Sequence, residues 1–404
     1  MDPTGPAWAA SGAMGLTGRS EAPPLGAPPG LIDLIHRATS VVNRHCGGLA
    51  LVDGPALLGE RAALSGLTRH GGISCGGSTH LVPARDGWLA VSLARPADLA
   101  ALPAWLGRDL PDADPWPCVN EVVSAKSTAE LDERAALLGL PFAALGSVEP
   151  CGGDVFDLPV AAVCVRREGR AARLLEGAMV VDLSSLWAGP LCGQLLAAAG
   201  ANVVKVESTA RPDGARRGPA PFFDLLNGAK RSVALDLATG EGRHNLLRLI
   251  RAADVVIESA RPRALAQMGI HAVAELGRSG GPRVWLSITS HGRGEGAAQR
   301  VGFGDVAAVA GGLVARDERG PCFLADAVAD PLAGLVSAAA VAEALSAGGH
   351  WLIDAGLAPM AASVAGSPVD VGGLSARPPR AREATGSAPA LGSDTTAVLT
   401  DLCP

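Results

Sequence analysis

The residues whose types could do chemistry gather in the second half of the chain, at the ends of apolar runs. Arg211, Arg216 and Arg217 follow one such run, Lys230 and Arg231 precede the next, and Arg261 and Arg263 follow a third. Each alone is most often part of a solvated face. Gathered at one crevice, they would suit a ligand carrying several phosphates. Lys230 stands out because Lys126, Lys205 and Lys230 are the only lysines among 34 basic residues. The sharpest single feature is Asp330-Pro331-Leu332-Ala333-Gly334-Leu335, a carboxylate at the head of an alanine-rich run. By local pattern this is a helix start, since Asp is a favoured N-cap and Pro a favoured first helical residue.

Several other chemistries lack their motifs. The turn after the first regular strand reads Ser184-Ser185-Leu186-Trp187-Ala188-Gly189-Pro190 rather than G-x-G-x-x-G, which disfavours a dinucleotide dehydrogenase. No G-x-x-x-x-G-K-[ST], H-E-x-x-H or G-x-S-x-G occurs, which speaks against a P-loop NTPase, a metalloprotease and a hydrolase. The eight cysteines form no C-x-x-C pair and no metal spacing with the eight histidines, so no metal is expected and free thiols in a reducing cytoplasm are. A net charge of -6 offers no broad positive field to nucleic acid or an anionic membrane.

These residues need elements to hold them. At 404 residues, against roughly 150 for a usual domain, the chain predicts two or three domains. With 48% hydrophobic and 18% charged residues it has material for a sizeable core. Residues 1–30, rich in Gly, Pro and Ala, predict a flexible lead segment. Residues 31–148 predict a small α+β domain, with a hairpin around Ala84-Arg85-Asp86-Gly87 and a helix capped by Ser127 and ending near Leu138. Residues 149–176 read as a linker and 177–366 as a large domain. In the large domain the runs AMVVDLS, NVVKVES, RSVALDL, DVVIES and RVWLSITS alternate with helical stretches, which implies an α/β fold with a parallel sheet covered on both faces. The apolar stretches near 178–204 and 329–345 are broken by polar residues, Gly and Pro, so neither predicts a membrane span. A tail, 367–404, ends in a predicted helix.

Several segments, in order, resemble the family III coenzyme A transferases, the group that includes formyl-CoA transferases, carnitine CoA-transferases and α-methylacyl-CoA racemases. VVDLSSLWAGPLCGQLLAAAGANVVKVE (180–207) resembles their opening strand, A-G-P helix and second strand. FFDLLNGAKRSVALDLATGEGR (222–243) resembles the L-N-x-x-K-R-S-x-x-L-D-L motif, DVVIESARPRALAQMGI (254–270) the D-V-V-I-E-N-F-R-P segment, and LSITSHGRGEG the S-I-S-G-F-G stretch. PCFLADAVADPLAGLVSAAAVAEAL resembles the segment holding the nucleophilic aspartate. The resemblance implies a Rossmann-like large domain with a smaller α+β domain and a homodimer. It also implies coenzyme A and carboxylic acid substrates and an aspartyl-CoA thioester formed on Asp330. It assigns coenzyme A contacts to Ser185, Leu186, Trp187 and Ala188, to Leu226, Asn227, Gly228 and Ala229 beside Lys230, and to Ser259, Ala260 and Arg261. Gln267, Met268, Gly302, Phe303, Gly304 and Asp305 complete that set, and Arg211, Lys230 and Arg261 are left to hold the phosphates.

The chain departs from the family pattern in several places. The small domain with its D-G-W hairpin normally follows the nucleophile helix, whereas here Asp86-Gly87-Trp88 precedes the large-domain motifs, as if the small domain had moved to the amino terminus. That order leaves open whether the loop around Gly71, Gly72, Gly76 and Gly77, the counterpart of a mobile glycine loop, meets Asp330 within one chain or from a second subunit. Trp187 stands where formyl-CoA transferases carry Gln, which speaks against formyl or oxalate substrates. Ser259-Ala260 replaces Asn-Phe, and Ser208 and Gln267 stand where some members carry Arg. Racemases of the family carry His where this chain has Gly304, which argues against racemisation. A CoA-binding protein without turnover is the remaining alternative.

Overall fold

Strands buried on both faces need no polar alternation, so continuous Val, Ile and Leu runs build a covered parallel sheet. The computed structural model describes residues 4–45, 52–110, 114–151, 155–166, 171–260 and 262–402. A hairpin of β1 (Thr79–Pro83) and β2 (Trp88–Ser92) pairs with β3 (Phe142–Ala144) in a small antiparallel sheet. The large sheet holds β4 (Ala161–Arg166), β5 (Met179–Leu183), β6 (Asn202–Ser208), β7 (Arg231–Leu235), β8 (Val255–Glu258) and β9 (Val284–Thr289). After the short pair β10 (Ala315–Asp317) and β11 (Gly320–Cys322), β12 (His350–Gly356) completes it.

Across the large sheet the order is β4-β12-β9-β8-β5-β6-β7. All neighbours from β12 to β7 are parallel, and β4 joins β12 antiparallel. The chain builds outward from β5 to β7, then returns to β8 and builds the other way. This is the doubly wound Rossmann-like order, and its switch point lies between β5 and β8, where such sheets open a crevice at the carboxyl ends of the strands.

Helix Ala188–Ala198 packs on the central helix Ala329–Ala347, which also packs on helix Pro29–His45. The central helix is long and apolar enough to cross a membrane, yet it is buried nearly all round inside the protein. Gly334 permits the close crossing, because a Cβ there would stand 2.8 Å from the Ala188 carbonyl oxygen and 2.9 Å from Leu191.

Three predicted boundaries change. The lead segment is ordered from Thr4 onward: Trp8 is fully buried and its Nε1 donates to the Leu25 carbonyl at 3.0 Å. Its glycines let it run against the tail, where Arg377 N–H donates to Ala9 O and Val369 N–H to Ala27 O. Helix Pro29–His45 buries Leu31, Ile35, Ala38 and Val42 in the large core, so the first part of the proposed small domain belongs to the large one. The proposed linker supplies β4, whose alternating exposure fits an edge strand, while the arginines around it mask the pattern in the sequence. The tail ends in helix Thr395–Leu402 beside β7, where Asp394 accepts from Ser232 N–H at 2.7 Å.

Lys230 is tied beneath the first helix of the sheet. Its Nζ donates to Asp182 Oδ2 (2.8 Å), Pro190 O (2.8 Å) and Asn227 Oδ1 (3.1 Å), and both charged groups are buried. Burial opposes the charge on Asp182, but Lys230 and Lys205 together hold its carboxyl below the usual range. Removing one partner of a buried ion pair leaves the other uncompensated, at a cost of about 3–5 kcal/mol. Lys230→Met is therefore expected to lower the unfolding free energy by about that amount in chemical denaturation. A lysine holding phosphate would instead lose coenzyme A affinity with stability unchanged.

Candidate active site

The turn from β5 into helix Ala188–Ala198 is bound on both sides. Ser185 N–H donates to Ser259 Oγ at 3.0 Å, joining the turns that follow β5 and β8. Leu186, at φ 71°, takes a left-handed conformation that a branched residue adopts only under constraint, and its N–H donates to Asp213 Oδ1 at 3.0 Å. Asp213 is held in turn by the buried Lys205, whose Nζ also donates to Ser184 O. These bonds fix one wall of a cleft of about 760 Å³ at the switch point.

Asp330 lies in the first turn of the central helix and opens into this cleft. Its Oδ2 accepts from Gly304 N–H at 3.2 Å. A Cβ at residue 304 would stand 2.5 Å from that oxygen and 2.4 Å from Ala327 O, so only glycine fits. The approach to the helix is strained, with Ala325 at φ 54° and Ala327 at φ 45°. Behind it lie Asp305, which accepts from Ala327 N–H at 3.1 Å, and the fully buried Asp326. Arg61 grips Asp326 with Nε at 2.8 Å and Nη2 at 2.5 Å, and lies 4.9 Å above the Trp187 ring. Burial pushes the Asp330 carboxyl up to about 6, and Asp326 adds to this, while Arg61 and the Gly304 N–H pull it down. Burial, then Asp326, pushes Asp305 up to about 7.

Of the residues predicted from the sequence, Ser185, Leu186, Trp187, Ala188, Arg211, Ser259, Ala260, Gln267, Gly302 and Phe303 line the cleft with Asp330. Gly304 and Asp305 lie one layer behind, on helix Gly304–Ala310. The segment at 226–230 does not reach it. Leu226 is buried in the core, Asn227 bonds Phe223 O and Lys230, Gly228 is pressed against Gly386 O, Ala229 is exposed elsewhere, and Lys230 is spent on Asp182. Met268 turns away to pack on the core that holds Leu265 and Trp285. Arg261 lies outside the described residues. The glycine loop meets the aspartate nest within one chain: Phe323 N–H donates to Gly71 O at 2.9 Å, and a Cβ at Gly76 would lie 3.6 Å from Arg61 Nη2.

The cleft also gains residues that sequence reasoning did not assign. Arg263, visible as a basic residue after β8, lines it, as do Arg95 and Arg300. Arg95 is held by Asp98 at 3.0 Å and Arg300 by Asp132 at 2.8 Å, both pairs lying in the amino-terminal unit or reaching into it. Among the described residues, Arg211 and Arg263 have no ion-pair partner, so their forks face solvent at the mouth. Ser290 stands in the wall where the family motif carries Gly. Behind it His291 is buried without a hydrogen-bond partner, and burial, with Arg300, lowers its pKa to about 4, so the ring is neutral. Among the described residues no group of three or more His, Cys, Asp or Glu could hold a metal ion.

The sequence profile of CoA-transferase family III matches residues 175–384. Among curated relatives, succinyl-CoA–D-citramalate CoA-transferase of Chloroflexus aurantiacus is 31% identical over 179 residues, covering 42% of this chain and 44% of its own. Succinate–glutarate CoA-transferase of Agrobacterium fabrum is 33% identical over 188 residues, covering 42% of this chain and 46% of its own. The matched region thus spans less than half the length of these relatives. A CAIB/BAIF family protein from Brucella suis, known by crystal structure, is 31% identical over 48% of this chain and 55% of its own, with a TM-score of 0.43.

Asp330 and Asp305 bind protons more tightly in the folded chain than in the unfolded one. They contribute stability below the ordinary aspartate range, and it is lost as pH rises through about 6 and about 7. Asp330→Asn should therefore raise stability near neutral pH by about 1–2 kcal/mol, after screening in the open cleft, and leave it unchanged near the ordinary aspartate pKa. Thermal melts across that range check the sign.

Proposed function

This chain belongs to CoA-transferase family III, and from that premise we propose that it moves coenzyme A from an acyl-CoA to a carboxylic acid through a thioester on Asp330. The observation that carries this reading is the Asp330 carboxyl, which opens into a cleft large enough for a thioester and is oriented by a backbone N–H. The ionised carboxylate attacks the acyl carbon, forming a mixed anhydride and releasing the thiolate. The thiolate then attacks the Asp330 carbonyl carbon, freeing the donor acid and leaving aspartyl-CoA. The acceptor carboxylate attacks that thioester, the released thiolate attacks the acceptor's acyl carbon, and Asp330 is regenerated. Thioester energy is kept throughout, and one hard step becomes several easier ones.

Arg211 and Arg263, with unpaired forks at the cleft mouth, suit the phosphates of coenzyme A. The homodimer implied by the resemblance belongs to the same proposal. D-citramalate and glutarate, named for two relatives, are the acceptors to try first. An α-proton-exchanging racemase is the weaker reading, because the position of its histidine is Gly304, where a side chain would collide with Asp330 Oδ2.

Mass spectrometry of the protein incubated with mixed acyl-CoAs should find a coenzyme A adduct on the peptide holding Asp330. Asp330→Ala should lower exchange by about 10⁴-fold or more while coenzyme A still binds. Retained exchange would reject the nucleophile, and tight acyl-CoA binding with no exchange across a broad panel of acids would favour a binding protein. Arg263→Ala should raise the KM for acyl-CoA by about tenfold with kcat little changed, the mark of a phosphate contact made equally in ground and transition states.

A further inference from the structure

Arg61 comes from helix Glu60–Ser65, outside residues 175–384 that match the family, yet its guanidinium packs behind the cleft on Trp187 of its wall. It is held there from several sides. Both Nε and Nη2 donate to Asp326, and Cζ stacks 4.9 Å from the Trp187 ring centroid. The residue before it, Glu60, is buried and gripped by Arg382 (2.5 and 2.8 Å), whose Nη1 donates to Gln194 Oε1 at 2.6 Å on helix Ala188–Ala198. Helix Glu60–Ser65, the tail and the first helix of the large sheet thus converge to aim one cation.

What that cation meets is a surplus of negative charge. Asp326 precedes the central helix, Asp330 stands in its first turn, and Asp305 faces them from helix Gly304–Ala310. The Cys75 thiol faces the same nest from the glycine loop, donating to Ala325 O at 3.4 Å, and burial pushes its pKa up, keeping it neutral. Arg61 interacts electrostatically with all three carboxylates. The cleft arginines, Arg95, Arg211, Arg263 and Arg300, line other walls.

We propose that Arg61 is a positioning residue of the transfer reaction: by clamping Asp326 it sets the turn that aims Asp330, and its charge keeps the Asp330 carboxylate ionised. This rests on the reading of Asp330 as nucleophile. Without the guanidinium, burial and the freed charge of Asp326 both act to protonate Asp330, so the acidic limb of kcat/KM, expected near pH 6, moves up. Removing the Asp326 charge instead frees Arg61 to face Asp330, and the limb moves down.

The test is the pH profile of acyl-CoA exchange for Arg61→Gln, Arg61→Lys and Asp326→Asn, beside a ¹³C-carboxyl NMR titration of Asp330 assigned by its loss in Asp330→Asn. With the limb moved up by about one pH unit, Arg61→Gln should fall about tenfold on the acid side of the limb, only about twofold at neutral pH, and recover in alkali. Arg61→Lys should keep the limb near its native position, and Asp326→Asn should shift it the opposite way from Arg61→Gln. If Arg61→Gln does not fold, the displacement in Asp326→Asn decides. Limbs unmoved in the folded variants, with rates lowered equally at every pH, would overturn the proposal. The NMR titration reads the same shift without turnover, so failure of the nucleophile assignment, seen as exchange retained by Asp330→Ala, is distinguishable from failure of this inference.

Discussion

Three aspartates and one guanidinium meet around the head of the central helix, with Asp330 alone of the four lining the cleft, and most of the molecule serves to hold them there. A carboxylate beside two others would ordinarily take up a proton, and burial pushes in the same direction. Arg61 and the Gly304 N–H oppose both. The balance depends on a glycine that admits no Cβ, on two alanines in left-handed backbone, and on an apolar helix that anchors the strained turn at its head. Such strain persists only where the surrounding structure over-determines it, and here the central helix is enclosed by helices Pro29–His45, Ala188–Ala198 and Leu357–Val364.

Much of the scaffold was legible. Runs such as DVVIES and RVWLSITS carry their strand identity in continuous apolar residues, and Ser127 announces its helix by capping geometry that the structure repeats with Glu130 N–H. Asp-Pro marked a helix start to within two residues, since the helix begins at Ala329 with Val328 at its N-cap and Asp330 already inside the first turn, and the proposed role of Asp330 came from the family resemblance. Lys230 misled because rarity in composition says nothing of direction: its Nζ points beneath Pro190 to Asp182, a contact 48 residues away in sequence. Arg61, Arg95 and Arg300 were illegible for the complementary reason. They carry no motif, and only tertiary packing brings Arg95 and Arg300 to the cleft and Arg61 to the carboxylates behind it.

The amino-terminal part, outside the family match, supplies Arg61 and Arg95 and lays the glycine loop against the aspartate nest. The lead segment, which reads as loose because Gly, Pro and Ala dominate it, is pinned by Trp8 and by pairing with the tail. Low side-chain complexity there reflects close backbone approach: a Cβ at Gly26 would lie 2.1 Å from Val369 O. The glycine loop and the segment leading to Asp330 thus meet within one chain.

The most direct test of the covalent account follows oxygen. With an acceptor acid labelled with ¹⁸O in its carboxyl group, each turnover through an aspartyl-CoA thioester makes the acceptor's oxygen the bridge of the second anhydride and leaves it on Asp330. The account predicts that the Asp330 peptide gains ¹⁸O during turnover and at no other aspartate. Exchange proceeding with the Asp330 carboxyl unlabelled would contradict it.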